Sequence, residues 1–569
     1  MMAWIPVALL AVPLLGALLL LLAPQLLRPV LRTYGLILSG LTLALSLLLV
    51  ATFDYDRPAD VQFELDQSWI PGLGLRFHLG VDGISLPLIT LTALLTFLCF
   101  VYLCWGNARA SGQLLTTKPA TKAVPTTGAG PAAKTEPATG TRPRALIFTL
   151  LVLEVGMIGT FLALDLLLFF VFFEIVLIPM YFLIGIWGGD GRRAASIKFI
   201  LYTLLGSVVM LLGLLLIWAQ TGTLDIVALS ASHGAGMSRS IQILAFVAIG
   251  IGLAVKTPMW PLHTWLPDAH TEAPTVGSVL LAGVLLKMGT YGFARIAIPV
   301  LPEGATAMAP WLGALAVVGI VYGALACLAQ RDLKRMIAYS SVGHMGFVLL
   351  GFATLTPVGV NGALFANVAH GLITGLLFFL AGAIKERHHT ADMPTLGGGL
   401  LATLPRLGAL LTFAAIASLG LPGLAGFWGE MLALYGAFQP AAGLPRGLFL
   451  TYMVIGGLGA VLTAAYFLVM LSRLTHGRPQ PPTPTSPSGT NVVAPPPDTS
   501  DEQPAATPAH TTTTTLERPP TDSAIEDIDR HELLAWTPLV VLTLLFGLWP
   551  GLLLSLTTPP VQALLGAIS

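Results

Sequence analysis

Val255-Lys-Thr-Pro-Met-Trp-Pro-Leu-His-Thr-Trp-Leu-Pro-Asp-Ala-His-Thr-Glu-Ala-Pro-Thr275 decides how the rest of the chain is read. Lys256 closes an apolar run that begins near Ile241. An ammonium at the centre of a membrane helix costs roughly 2.5–3.5 kcal/mol on insertion scales. Pro258 and Pro261 follow at once and remove two backbone donors. Irregular backbone at membrane depth is tolerated only where protein or a wet cavity surrounds it. A charged amine and an unwound backbone therefore meet inside a membrane, a combination that marks an ion path. The plainer alternative is a lysine that snorkels to the interface from a helix end.

Composition supports the membrane setting. The chain has 569 residues, 55% hydrophobic and 10% charged, with a mean hydropathy of +0.82; a soluble domain carries about 25% charged residues. Formal net charge is zero, which removes any reason to expect nucleic acid. Cys99, Cys104 and Cys327 form no Cys-x-x-Cys pair, against iron–sulfur and zinc sites. Gly188-Gly189 lacks the strand-turn-helix setting of a nucleotide fingerprint. No cofactor motif is present.

Runs of about 20 apolar residues, each able to cross a bilayer, lie near 4–23, 34–53, 84–105, 145–164, 166–187, 196–219, 241–260, 275–298, 309–329, 336–354, 361–384, 406–438, 447–473 and 533–556. The first has no basic n-region or cleavage site and reads as a retained helix. The pattern predicts an all-α polytopic membrane protein of about 14 transmembrane helices. Arg28 and Arg32, Arg192 and Arg193, Arg331, Lys334 and Arg335, and Lys385 and Arg387 fall on one side; Arg57, Arg76, Arg239 and Arg446 are scattered on the other. The positive-inside rule puts the first set in the cytoplasm and both termini outside.

Residues 107–143 are rich in Thr, Ala, Pro and Gly, and 475–530 carry Pro-rich segments and five consecutive threonines. Both are expected to be disordered cytoplasmic inserts. They divide the chain into 1–106 (helices 1–3), 144–298 (helices 4–8), 299–474 (helices 9–13) and 531–569 (helix 14). The span near 250–267 is interrupted at Pro258 and Pro261, and that near 406–438 at Gly420-Leu-Pro-Gly423. Paired interrupted spans in two halves point to a transport site, and about five helices per unit would make the repeats inverted.

Among the ionisable residues inside apolar runs, Glu154, Glu174, Lys256, Lys287, His344, His370 and Glu430 stand out. Glu174 needs a partner on another helix, and Lys256 is the natural one. A lysine balanced between burial and an opposite charge releases its proton when the pair opens. A static salt bridge is the alternative. His344 and His370 suit proton relay because imidazole titrates near neutrality. Ser340, Ser341 and Thr374 are placed to hold bridging water. Glu154 is either a peripheral intake residue or structural. His263, Asp268, His270 and Glu272 form either an intake funnel or a solvated loop. Trp260 and Trp265 read as interfacial anchors.

The long motifs from Lys256, Leu-Leu-Lys-Met-Gly-Thr-Tyr-Gly from Leu285, and Arg-Asp-Leu-Lys-Arg-Met-Ile-Ala-Tyr-Ser-Ser-Val-Gly-His-Met-Gly from Arg331 resemble the antiporter-like membrane subunits of proton-pumping NADH–quinone oxidoreductase, in particular the subunit M or chain-4 kind. The likeness covers nearly the whole chain except the two inserts. It implies two inverted five-helix units, helices 4–8 and 9–13, with helices 7 and 12 broken. It implies Glu174 as the helix-5 glutamate paired with Lys256, Lys287 as the helix-8 lysine toward the centre, His344 and His370 as central histidines, and Glu430 as the terminal carrier. Sister subunits and antiporters usually carry lysine at that last position, so Glu430 favours the subunit M kind. The resemblance further implies a cell inner membrane location and the antiporter-like subunits L and N as partners. NAD, FMN, iron–sulfur clusters and quinone would reside in other subunits. A cation/proton antiporter and a membrane-bound hydrogenase-type assembly are the alternative settings.

The topology is testable directly. Thr127→Cys and Thr513→Cys, one in each insert, are expected to resist a membrane-impermeant thiol reagent added outside intact cells. Rapid labelling of either contradicts the assigned orientation.

Overall fold

The computed structural model describes residues 3–22, 30–105, 143–477 and 526–566. Most of the two predicted inserts, 107–143 and 475–530, and Arg28 lie outside the described residues. Thirteen of the described helices are long and apolar enough to cross a membrane. In chain order the helices used below are α1 (Trp4–Leu22), α2 (Leu31–Thr52), α3 (Ser85–Trp105), α4 (Pro143–Leu162), α5 (Leu166–Trp187), α6 (Arg192–Thr221), α7 (Arg239–Lys256), α8 (Trp265–Glu272) and α9 (Thr275–Val300). There follow α10 (Pro302–Leu328), α11 (Leu333–Ala353), α12 (Pro357–His388), α13 (Pro405–Ser418), α14 (Ala425–Phe438), α15 (Arg446–Leu474), α16 (Arg530–Leu548) and α17 (Gly551–Leu565).

Two spans are interrupted. After Lys256 the chain runs through turns to α8, and after Ser418 it loops to α14. Pro258 and Pro261 account for the first break by withholding backbone donors. Gly420 and Gly423 account for the second, since both adopt positive φ, 82° and 93°. A Cβ at Gly420 would also come within 3.0 Å of a Glu430 carboxylate oxygen.

The chain repeats one small device. Asp165 forms an isolated antiparallel bridge with Asp225, and Asp332 with Asp392, the partners equally far apart in both pairs. The flanking hydrogen bonds match: Leu166 and Ile226 exchange with Leu224 and Leu164, Leu333 and Met393 with Ala391 and Arg331. Each aspartate also caps the helix that follows it. Five crossings lie between Asp165 and Asp332, so the two bridges sit on opposite faces. An inverted pair of units requires that arrangement.

At the centre runs α9, buried from Val276 to its end. It winds as π-helix at Leu281–Leu285 and again at Phe293–Ala297. A helix apolar on every side belongs where protein surrounds it, and α9 carries Lys287 and Arg295 there. Arg295 Nη1 pairs with Asp82 Oδ2 at 2.6 Å, both buried. By contrast, α6 turns Leu201, Leu205 and Leu212 outward, as a lipid-facing helix does.

Two features depart from the sequence expectation. A hairpin of β1 (Gln62–Ile70) and β2 (Leu75–Val81) joins α2 to α3 in a chain otherwise read as all-α. Its signal was the Pro71-Gly-Leu-Gly74 turn between two short runs that carry Phe63, Trp69, Ile70, Phe77 and Val81. The C-terminal region also holds two helices where one was expected, α16 and α17 meeting at Trp549-Pro550. The far end of the second insert is anchored. Asp527 accepts from the Arg406 and Leu407 amides (2.8 and 3.2 Å), and Arg387 grips Glu532 at 2.6 Å. Asp529 and Glu532 close a capping box at the start of α16.

Buried His78 fastens the hairpin to the body, Nδ1 2.8 Å from Asp225 and Nε2 2.8 Å from Glu64. Burial pushes its pKa down, but the Asp225 and Glu64 carboxylates outweigh that and hold it above the usual 6.5. A raised folded-state value means the clasp stabilises fully below the unfolded value and is lost as pH rises through the raised one. Proteolysis at the hairpin of the purified protein is therefore expected to accelerate above the His78 pKa, and His78→Gln to remove that step. A pH-independent cleavage rate in the native chain contradicts the clasp.

Candidate functional site

Lys287 is the buried centre of the site. Its Nζ donates to the Ala282 carbonyl, inside the first π-wound segment, and lies 2.6 Å from His370 Nδ1. A π turn shifts the local hydrogen-bond pattern and recurs at functional sites; here it offers a carbonyl to the amine. One turn on, Thr290 Oγ1 donates to Asn367 Oδ1 at 3.0 Å, which ties α9 to α12 beside the lysine.

From His370 the row continues across the fold. The His370 and His344 ring centres lie 5.6 Å apart, their planes at 66°. His344 Nδ1 faces Glu430 Oε1 at 3.2 Å, and its Nε2 faces Ser418 Oγ at 3.1 Å. A cavity of about 20 Å³ lies among them, lined by His344, His370, Thr374, Ser418 and Glu430. That is room for one water, which needs about 10–15 Å³ and at least two polar partners. His370 Nε2 has no protein partner. Lys287, His370, His344 and Glu430 thus form one chain of titratable groups, two hydrogen-bonded pairs joined across a space of water size. The elements explain the placement: α9 and α12 supply Lys287 and His370, α11 supplies His344, and the break between α13 and α14 brings Ser418 and Glu430 to meet it.

Glu174 and Lys256 stand apart from this row and from each other. No nitrogen–oxygen contact within 4.0 Å joins them, so the expected pairing is a correction: the pair is open. Lys256 Nζ instead donates to the Phe173 carbonyl at 3.4 Å and sits 4.4 Å over the Phe173 ring. The backbone supplies that alternative because α5 is interrupted at Val176, ahead of Pro179, which has no N–H for the Ile175 carbonyl. Cation–π contact and one carbonyl replace the carboxylate. Glu174 Oε1 is left without a hydrogen-bond partner.

Other sequence expectations divide. Trp265 is buried and donates to the Val255 carbonyl at 2.9 Å, so it braces the broken helix and is not an interfacial anchor. Ser340 and Ser341 hydroxyls turn back onto the Ile337 carbonyl, whereas Thr374 does line the small cavity. Both oxygens of fully buried Glu154 are unpartnered. The solvated-loop reading fails for His263 and His270, which are buried, while Asp268 pairs at the surface with Lys198 (2.7 Å) and Arg335 (3.3 Å). Ser418, Asn367 and the Arg295–Asp82 pair went unremarked in the sequence. Arg295 carried the usual signal, an ionisable residue within an apolar run; Ser418 and Asn367 carried none.

Comparison with known proteins follows the same lines. Residues 163–458 match the family model described as NADH:quinone oxidoreductase/Mrp antiporter, transmembrane. The chain is 39% identical to NADH-quinone oxidoreductase subunit M of Rhodobacter capsulatus over 533 residues, 92% of this chain and 88% of that protein. It is also 39% identical to NADH-ubiquinone oxidoreductase chain 4 of Arabidopsis thaliana, over 82% of this chain and 86% of that one. A chain of respiratory complex I from Thermus thermophilus superposes over the whole of both chains with a TM-score of 0.76 at 29% identity. A chain of the Mrp complex from Dietzia shares the fold, with a TM-score of 0.76 at 22% identity.

Proposed function

This chain belongs to the NADH:quinone oxidoreductase/Mrp antiporter transmembrane family, and from that premise we propose that Lys287, His370, His344 and Glu430 are the path along which it moves protons. It is a membrane-arm subunit of NADH–quinone oxidoreductase, of the subunit M or chain-4 kind, and a proton-translocating one. The observation that carries the path is the continuous row of titratable groups around a water-sized cavity. A scaffold has no need of such groups at membrane depth.

The row works by proton hand-over. Lys287 and His370 share a proton across 2.6 Å. Passing it to the cavity side of His370 puts it within one water of His344, which hands it to Glu430. Lys256 and Glu174 form a separate element, in which closing the pair stabilises charge on the lysine and opening it removes that stabilisation. Electron transfer from NADH to quinone is assigned to partner subunits, a reading supported by cysteine spacing unsuited to iron–sulfur ligation. The antiporter-like subunits L and N are the expected neighbours. The face with Arg192, Arg193, Arg331 and Lys385 is placed in the cytoplasm of a cell whose inner membrane holds the complex. A free-standing antiporter is disfavoured by glutamate at position 430.

The test uses the whole assembly in membrane vesicles, with quinone-linked NADH oxidation and proton uptake normalised to assembled complex. Lys287→Met and Glu430→Gln are each expected to assemble and to lose proton uptake by roughly 10²-fold, the lower end of what a positioned proton donor contributes. Lys256→Arg keeps a positive charge, but a guanidinium with pKa above about 12 does not release it, so it is expected to fail alongside Lys256→Ala. Full uptake in Lys287→Met refutes the row, and full uptake in Lys256→Arg returns Lys256 to a structural role.

A further inference from the structure

Arg295 and Asp82 carry buried charge outside the proton row. Arg295 Nη1 lies 2.6 Å from Asp82 Oδ2, with the two side chains 7% and 1% exposed. The guanidinium Nε has no hydrogen-bond partner. Replacing such a buried pair by apolar groups of similar volume is often neutral or stabilising. Packing alone therefore does not account for an ion pair here. The best-attested use of a buried charged pair is to fix the register of one element against another.

The element that needs fixing is α9. A helix apolar on every side packs almost equally well at many rotations about its own axis. This one also changes winding twice, with π segments at Leu281–Leu285 and Phe293–Ala297 flanking Leu286–Gly292. Lys287 lies in that middle segment, and Arg295 lies in the second π segment. Rewinding a π turn as α-helix turns its two ends relative to each other by about one residue's step, 100°. Such a turn persists only where contacts at both ends hold it. On the near side, Lys287 meets His370 and Thr290 bonds Asn367. On the far side stands Asp82, itself firmly placed. Its Oδ1 accepts from the Ile84 and Ser85 amides at 3.1 and 2.9 Å at the start of α3. The Gly83 amide bonds the Pro58 carbonyl at 2.8 Å.

We propose that the Arg295–Asp82 pair is the pin that holds α9 in the rotation where Lys287 meets His370. The proposal rests on the reading of the row as a proton path. Arg295 and Asp82 are positioning residues. They bond to each other and not to a group of the row, and they act through the second π segment. Loss of the pin lets that segment relax and turns Lys287 off its 2.6 Å contact with His370. The pair itself gains and loses no proton.

The test again uses the assembled complex in vesicles. Removing one partner strands a buried charge and endangers folding. The informative variant is therefore Asp82→Asn with Arg295→Met, which removes both charges and leaves an oxygen to accept the Ile84 and Ser85 amides. It is expected to assemble and to lose proton uptake by about tenfold or more, since a misplacement of about 1 Å can cost 10²-fold. Rotation is read separately by Thr290→Cys with Asn367→Cys, placed where the native side chains meet at 3.0 Å. Oxidation is expected to cross-link these two in the otherwise native chain, and far less in the chain that also carries Asp82→Asn and Arg295→Met. Native uptake, an unchanged cross-link yield or loss of assembly in the charge-free variant overturns the proposal, and so does a missing cross-link in the otherwise native chain. Lys287→Met is run alongside. If it pumps normally the row fails while the cross-link still reports the pin. If only the charge-free variant pumps normally, the row stands and the pin does not.

Discussion

Two basic nitrogens 2.6 Å apart in a fully buried place set the terms for everything around them. Positive charges on both Lys287 and His370 would repel by roughly 6 kcal/mol even at an effective dielectric of about 20. On the proposed path the pair therefore holds one proton between two bases. Anything that favours the histidine side sends the proton toward the small cavity, and anything that favours the lysine side draws it back. The Ala282 carbonyl, bonded to the amine, is a fixed weight on the lysine side. The Glu430 carboxylate, reached through His344, is the weight on the other.

The fold is arranged to keep that pair dry yet connected. Burial of α9 on every face excludes lipid and bulk water, and its π-wound turn supplies the carbonyl. Breaks in the seventh and twelfth spans do complementary work. The first leaves Lys256 at the end of α7, over Phe173, and starts α8 at Trp265; the second lets Glu430 approach Gly420, where a side chain would crowd the carboxylate. The paired aspartate bridges repeat one local device, with five crossings between them. The segment after the first carries an open lysine–glutamate pair and the segment after the second a closed histidine–glutamate pair.

The row was legible in the sequence because ionisable residues in apolar runs are rare and expensive; Lys287, His344, His370 and Glu430 all announced themselves that way. The breaks were legible from proline and glycine. The Glu174–Lys256 distance was not, because charge complementarity says which groups attract and not whether a carbonyl and an aromatic ring hold the amine instead. The burial of His270 was not legible either, for a different reason. Asp268 and Glu272, four apart on a helix, share a face, while His270 lies two residues off and roughly 200° around. Read as one polar cluster, the four residues looked uniform; folded, they split into surface and core. The hairpin was missed because its short alternating strands are weak beside the long apolar runs, and Ser418 and Asn367 because a small polar residue in a membrane helix usually bonds to its own backbone.

The most direct test of the central claim follows the proton at the far end of the row. Difference infrared spectroscopy on the assembled complex, before and during NADH-driven turnover, reads the carbonyl band of a protonated carboxyl, and Glu430→Gln identifies the band that belongs to Glu430. The account predicts a Glu430 band that changes with turnover in the native complex and stays unchanged in Lys287→Met, whose row has lost its buried amine. A Glu430 band that never changes, or one that changes equally in Lys287→Met, contradicts it.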